Sequence, residues 1–114
     1  MRIVFSTAPE PNALEITGAT DDELVIKAAQ QMLSLEEPAT IVGIGRFGTL
    51  MPRLAFARRA ARRPVVEYVL VDCDLPLVSG DWPDAPVRYI ARSEEFATHA
   101  KVAADRGWSV GSSL

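Results

Sequence analysis

One seven-residue run, Val65-Val66-Glu67-Tyr68-Val69-Leu70-Val71, is apolar or aromatic apart from Glu67, and is closed by Pro64 on one side and Asp72-Cys73-Asp74 on the other. A segment this short and this rich in β-branched side chains is a strand. Its near-continuous apolar character is that of a central strand covered on both faces, the situation of parallel sheets in α/β domains. With 114 residues the chain can build one hydrophobic core, so a strand of this kind has to sit at its centre.

The flanking segments supply what such a strand needs. Arg2–Ser6 reads as a short strand, followed by a loop over 7–18 that holds Pro9, Pro11, Asn12 and Gly18. Thr20 precedes Asp21-Asp22-Glu23, a helix start with a hydroxyl cap and acids at the positive end of the helix dipole. Leu24, Ala28, Met32 and Leu35 then recur at helical spacing before Pro38. Thr40–Gly43 is a second strand, and 49–63 a second helix with Pro52 in its first turn, where a missing N–H costs nothing. After the long loop 75–85, Pro86–Ala91 is a further strand. Ser93 caps a third helix that Gly107 stops, and Trp108–Val110 adds a last strand. Strands alternating with helices imply parallel pairing through right-handed crossovers. The expectation is one three-layer α/β domain over 1–114, with a mostly parallel sheet of four or five strands.

Composition narrows the function. A net charge of -3 and a pI near 5.1 disfavour nucleic acid and anionic membranes as partners. No apolar run reaches the ~18 residues of a membrane helix, and Pro9 and Pro11 cut short the apolar N-terminus, so no signal peptide is expected. A single cysteine, Cys73, excludes an intramolecular disulfide and a cysteine-built zinc site, and the cytoplasm is the expected location. Ten arginines against two lysines, with abundant alanine, suggest a bacterial genome of high GC content. No cofactor and no metal is expected.

Gly43-x-Gly45-x-x-Gly48 joins a strand to a helix with the spacing of a dinucleotide-binding turn. That motif also wants an acid about 20 residues on, at the end of the next strand, to hold the ribose. Glu67 follows Gly45 by 22 residues but lies inside the apolar strand, and Asp72 follows by 27.

A second reading covers more of the chain. Thr40-Ile41-Val42-Gly43-Ile44-Gly45-Arg46-Phe47-Gly48 resembles the nucleophile elbow of α/β-hydrolases, the sharp strand–turn–helix that lifts a serine above the sheet. Val66–Asp72 with Leu75-Pro76, then Trp82–Ile90, Ser93 and Ala104–Trp108, are similar in order and spacing to the family elements that follow the elbow; the likeness spans roughly 21–111. The resemblance implies a cut-down hydrolase core in a setting of bacterial specialised metabolism. It also implies loss of the family's chemistry. Gly45 stands at the serine position, and Gly111-Ser112-Ser113-Leu114 stands where the catalytic histidine's context would begin. The sole histidine, His99, falls mid-helix and is expected on the helix surface.

The chemistry that remains is limited. The Gly45-Arg46-Phe47 turn could bind an anion or a polarised carbonyl through helix-end N–H groups, with Arg46 adding charge. Asp72 and Cys73 follow a strand's carboxyl end, where α/β sheets place their sites, and are the candidate base and nucleophile. Two flanking carboxylates raise a thiol's pKa, however, which favours a structural role for Cys73. Trp82 either covers the core or lines a pocket beside Asp72. Arg53, Arg58, Arg59, Arg62 and Arg63 either neutralise a helix end or dock an acidic carrier protein or precursor peptide. Edge strands left by a reduced sheet, at Arg2–Ser6 or Trp108–Val110, point to a homodimer or a heteromer. The leading expectation is a non-hydrolytic binding or accessory protein. A small cyclase, lyase or acyl-transfer enzyme using Asp72 or Cys73 is the alternative, and a nucleotide-binding domain is third.

Overall fold

The computed structural model describes residues 1–35, 37–60, 64–78 and 82–114. Its strands are β1 (Arg2–Ser6), β2 (Leu14–Glu15), β3 (Ala39–Ile44), β4 (Val65–Val71), β5 (Val87–Ile90) and β6 (Ser109–Gly111). Its helices are α1 (Asp21–Met32), α2 (Arg46–Thr49), α3 (Met51–Ala60) and α4 (Ala97–Asp105), the last preceded by a 3-10 turn at Glu94–Phe96. The strands form one sheet in the order β2-β1-β3-β4-β5-β6, with every neighbouring pair parallel. The α/β class and parallel pairing are those expected, and β4 is a central strand.

The strand order decides where the helices go. Passing from β2 to β3, from β3 to β4 and from β5 to β6, the chain always moves the same way across the sheet. Right-handed crossovers then carry α1, α3 and α4 to one face. Leu24, Ala28 and Met32 of α1, Met51 and Leu54 of α3, and Ala103 of α4 accordingly share one core with Phe5, Ile41, Tyr68, Leu70 and Tyr89. The step from β1 to β2 runs the opposite way, so the same handedness sends loop 7–13 to the other face. There Ala13 packs on a smaller cluster of Val4, Val42, Ile44, Val69, Val71 and Ile90, which contains no helical residue. Among the described residues this loop packs on the second face.

Other differences have local causes. The sheet has six strands because β2, two exposed residues in a Pro- and Asn-rich loop, pairs Phe5 and Ser6. Arg2–Ser6 is therefore interior, and the edges are β2 and β6. The Thr20 cap forms: its Oγ1 accepts the Glu23 N–H at 3.2 Å, and Glu23 Oε2 accepts the Ala19 N–H at 2.8 Å. The expected 49–63 helix is α3, described over Met51–Ala60 with Pro52 in its first turn; the short α2 precedes it, the two meet at Leu50, and 61–63 lie outside the described residues. Gly107 ends α4 at φ 86°.

The arginine-rich helix is tied to its own fold. Arg58 is buried, and its guanidinium donates to the carbonyls of Met32, at 3.3 Å, and Pro64, at 3.0 Å. Arg53 pairs with Asp22, and Arg59 with Asp84 at 3.3 Å. Burial withdraws Arg58 from any docking surface, whereas Arg53 and Arg59 are paired but remain 45% and 40% exposed on their side chains. Arg62 and Arg63 lie outside the described residues.

Candidate functional site

At the end of β3 the chain turns on Gly45, which adopts φ 63° and ψ −125°. Only glycine takes this conformation without strain. Gly45 N–H donates to Val71 O at 2.8 Å, and its carbonyl accepts the Gly48 N–H at 2.9 Å, so the turn is fixed to β4 and to α2. The three glycines do different work. A Cβ on Gly43 would stand 2.7 Å from the Phe47 backbone, and one on Gly48 would collide with Cys73. Both are needed because α2 lies directly against β3 and β4. A Cβ on Gly45 would meet nothing within 4 Å, because that position faces open space.

That space belongs to a cleft of about 490 Å³ over the carboxyl ends of β3 and β4. Gly45, Arg46, Thr49 and Leu50 line it from the turn and α2, and Asp72, Cys73 and Asp74 from the end of β4; Asp21 and Glu95-Phe96 complete it. Its position is the one where open α/β sheets place their ligands, and its volume suits a small molecule.

Asp72 lies in this cleft with φ 47°, and both its oxygens are occupied. Oδ1 accepts the Arg92 backbone N–H at 2.8 Å, and Oδ2 accepts Arg92 Nε at 2.6 Å. The outer nitrogens of Arg92 reach Glu10 at 3.1 and 3.2 Å. One guanidinium therefore straps the β1–β2 loop to the ends of β4 and β5. Asp72 is a structural contact here, held by a permanent cation.

Cys73 is 3% exposed. Burial pushes its thiol up to about 12; Asp74 and Asp72 push the same way, while hydrogen bonding to Thr49 and Tyr89 opposes them. Its backbone is pinned as well: Tyr89 Oη donates to the Cys73 carbonyl at 2.6 Å and accepts the Cys73 N–H at 3.2 Å. At neutral pH the sulfur is a protonated, enclosed thiol, a poor nucleophile.

The remaining candidates divide. Arg46 lines the cleft but is bound to Asp21, with Nε at 2.6 Å and Nη2 at 2.5 Å, so its charge is spent. The Phe47 side chain is fully buried, its ring 5.6 Å from that of Phe5, and it faces the core. Trp82 is also in the core and away from the cleft. Its ring lies 5.9 Å from Tyr68 of β4 and 5.5 Å from Trp108, because a large indole is best buried among other rings.

His99 is half-buried rather than free on the helix surface. Its Nε2 lies 3.2 Å from Asp74 Oδ1 and its ring 5.7 Å from Phe96, which places it behind the cleft rim. The Phe96–His99 spacing of three residues was a local signal for a shared face. The contact with Asp74 joins α4 to the segment after β4 through the fold and had none.

Among the described residues no group of His, Cys, Asp and Glu is placed to hold a metal ion, and no helix is long and apolar enough to cross a membrane. A scan of protein families, a search of curated proteins and a search of solved structures each return no match to this chain.

Proposed function

We propose that this chain is a non-hydrolytic, α/β-hydrolase-like binding protein that takes a small ligand in the cleft above β3 and β4. The observation that carries the reading is Gly45. The turn has the sharp strand-to-helix form of an elbow and opens into the cleft, yet it bears no nucleophile and leaves the space above it empty. The neighbouring groups support binding over covalent chemistry. The Cys73 thiol is buried and protonated, and Asp72 is saturated by Arg92. A dinucleotide fits poorly, because its pyrophosphate would face the carboxylates of the lining.

The test is intact-mass spectrometry after incubation with a panel of acyl thioesters, with Cys73→Ala in parallel. An unchanged mass is the expected result. A Cys73-dependent adduct would overturn the reading and make the protein an acyl-transfer enzyme.

The same reading includes self-association through β6. The β2 edge carries Glu15 and follows Pro9 and Pro11, features that block strand addition, whereas Ser109-Val110-Gly111 carries neither charge nor proline. Val110 and Val102 are exposed apolar side chains on β6 and the helix packed beside it.

A further inference from the structure

The charges around the cleft do not balance, and the imbalance selects a ligand. Four carboxylates line it, those of Asp21, Asp72, Asp74 and Glu95, against one guanidinium, that of Arg46. Arg46 is consumed by Asp21. Arg92 neutralises Asp72 only by sharing itself with Glu10, so that trio remains anionic. Asp74 is 85% exposed on its side chain, and among the described residues its one ion-pair contact is with His99. Glu95 is exposed and makes no ion pair among the described residues.

Between these groups the cleft is apolar: Leu50 and Cys73 are buried in its wall, Phe96 offers an aromatic ring, and Gly45 leaves its space open. A concave surface of net negative charge with low-dielectric walls concentrates its field on whatever enters. Phosphates and carboxylates are repelled. A bare divalent cation lacks a ligand set, since no group of carboxylates is gathered to coordinate one among the described residues. A protonated amine on an apolar body satisfies both halves of the lining: its ammonium meets Asp74 and Glu95, and its carbon skeleton covers Leu50 and Phe96.

We infer that the ligand of this cleft is an organic amine, bound as its cation with an apolar or aromatic body. The inference rests on the reading of the cleft as a binding site. It is tested by amide-resolved NMR titration with phenethylamine, phenethyl alcohol and phenylpropionate, which share an aromatic body and differ in charge. Phenethylamine is expected to shift the amides of Gly45, Arg46, Cys73, Asp74 and Phe96, more strongly at low salt than at high. The double variant Asp74→Asn/Glu95→Gln is expected to weaken it by roughly tenfold, while Asp22→Asn, outside the cleft, leaves it unchanged. Phenylpropionate or the alcohol binding at the same amides as tightly as the amine would overturn the inference and leave the binding site standing. No response of the cleft amides to any of the three would overturn both.

Discussion

Gly48 on α2 approaches Cys73 at the end of β4 so closely that a Cβ built on the glycine would stand 2.9 Å from the Cys73 Cβ, and closer still to its sulfur. This contact sets the distance between helix and sheet beneath the cleft. Gly48→Ala is therefore expected to destabilise the fold by about 1–3 kcal/mol through overpacking, although the same change in an exposed helix gains up to ~1 kcal/mol. In a Cys73→Ala background the cost should shrink, because the nearest atom has gone. Urea unfolding of the four proteins in a double-mutant cycle measures the coupling; strictly additive costs would show that this contact does not set the spacing.

The Cys73 thiol makes stability depend on pH at the alkaline end. Burial raises it from an ordinary value near 9 to about 12 in the folded chain. The folded state therefore retains a proton that the unfolded state loses. The stabilisation is complete below pH 9 and disappears as pH rises towards 12. Tyr68 and Tyr89 are raised by burial too and act in the same sense, so the informative comparison is with Cys73→Ala. The variant should lose less stability over that interval than the wild type. Iodoacetamide at about pH 8 should label the native thiol far more slowly than the unfolded one.

Arg92 joins Glu10 to Asp72, residues from distant parts of the chain. Arg92→Met would leave two carboxylates facing each other beside the cleft, one of them with a side chain only 14% exposed, and should cost about 1–3 kcal/mol. Arg92→Lys keeps the charge but not the fork that spans both acids, and should recover only part of that loss. A shift of the urea midpoint at constant slope is the expected signature. No shift for Arg92→Met would show the strap to be energetically idle.

Self-association through β6 should give a dimer by multi-angle light scattering at micromolar concentration. Val110→Lys should yield a monomer by placing like charges across the joined edges. A wild-type monomer at that concentration would remove β6 as an interface.

How much of this was legible in the sequence depended on range. The Thr20 cap, β4 and the Gly107 stop are local events, fixed by side chains within a few residues of one another, and they lie where the sequence places them. The glycine turn was legible as a turn, but its spacing served two readings equally. Only the packing of α2 on β3 and Cys73 distinguished glycines needed for close approach from the one needed for φ. Trp82 and Phe47 carry no local mark of where they point, and both went to the core rather than the cleft.

The chain's own pattern of short apolar runs, caps and glycines determined an α/β chain with a parallel sheet and a sharp turn above it. Those features follow from backbone sterics and from the periodic burial of neighbouring side chains. The tertiary structure decided which face receives the helices, because that depends on the direction of each crossover along the strand order. It also decided that Arg46, Arg58 and Arg92 are spent on internal partners and that Asp74 meets His99. Charge pairing acts through space between residues 20 to 82 positions apart, and no spacing in the sequence encodes it.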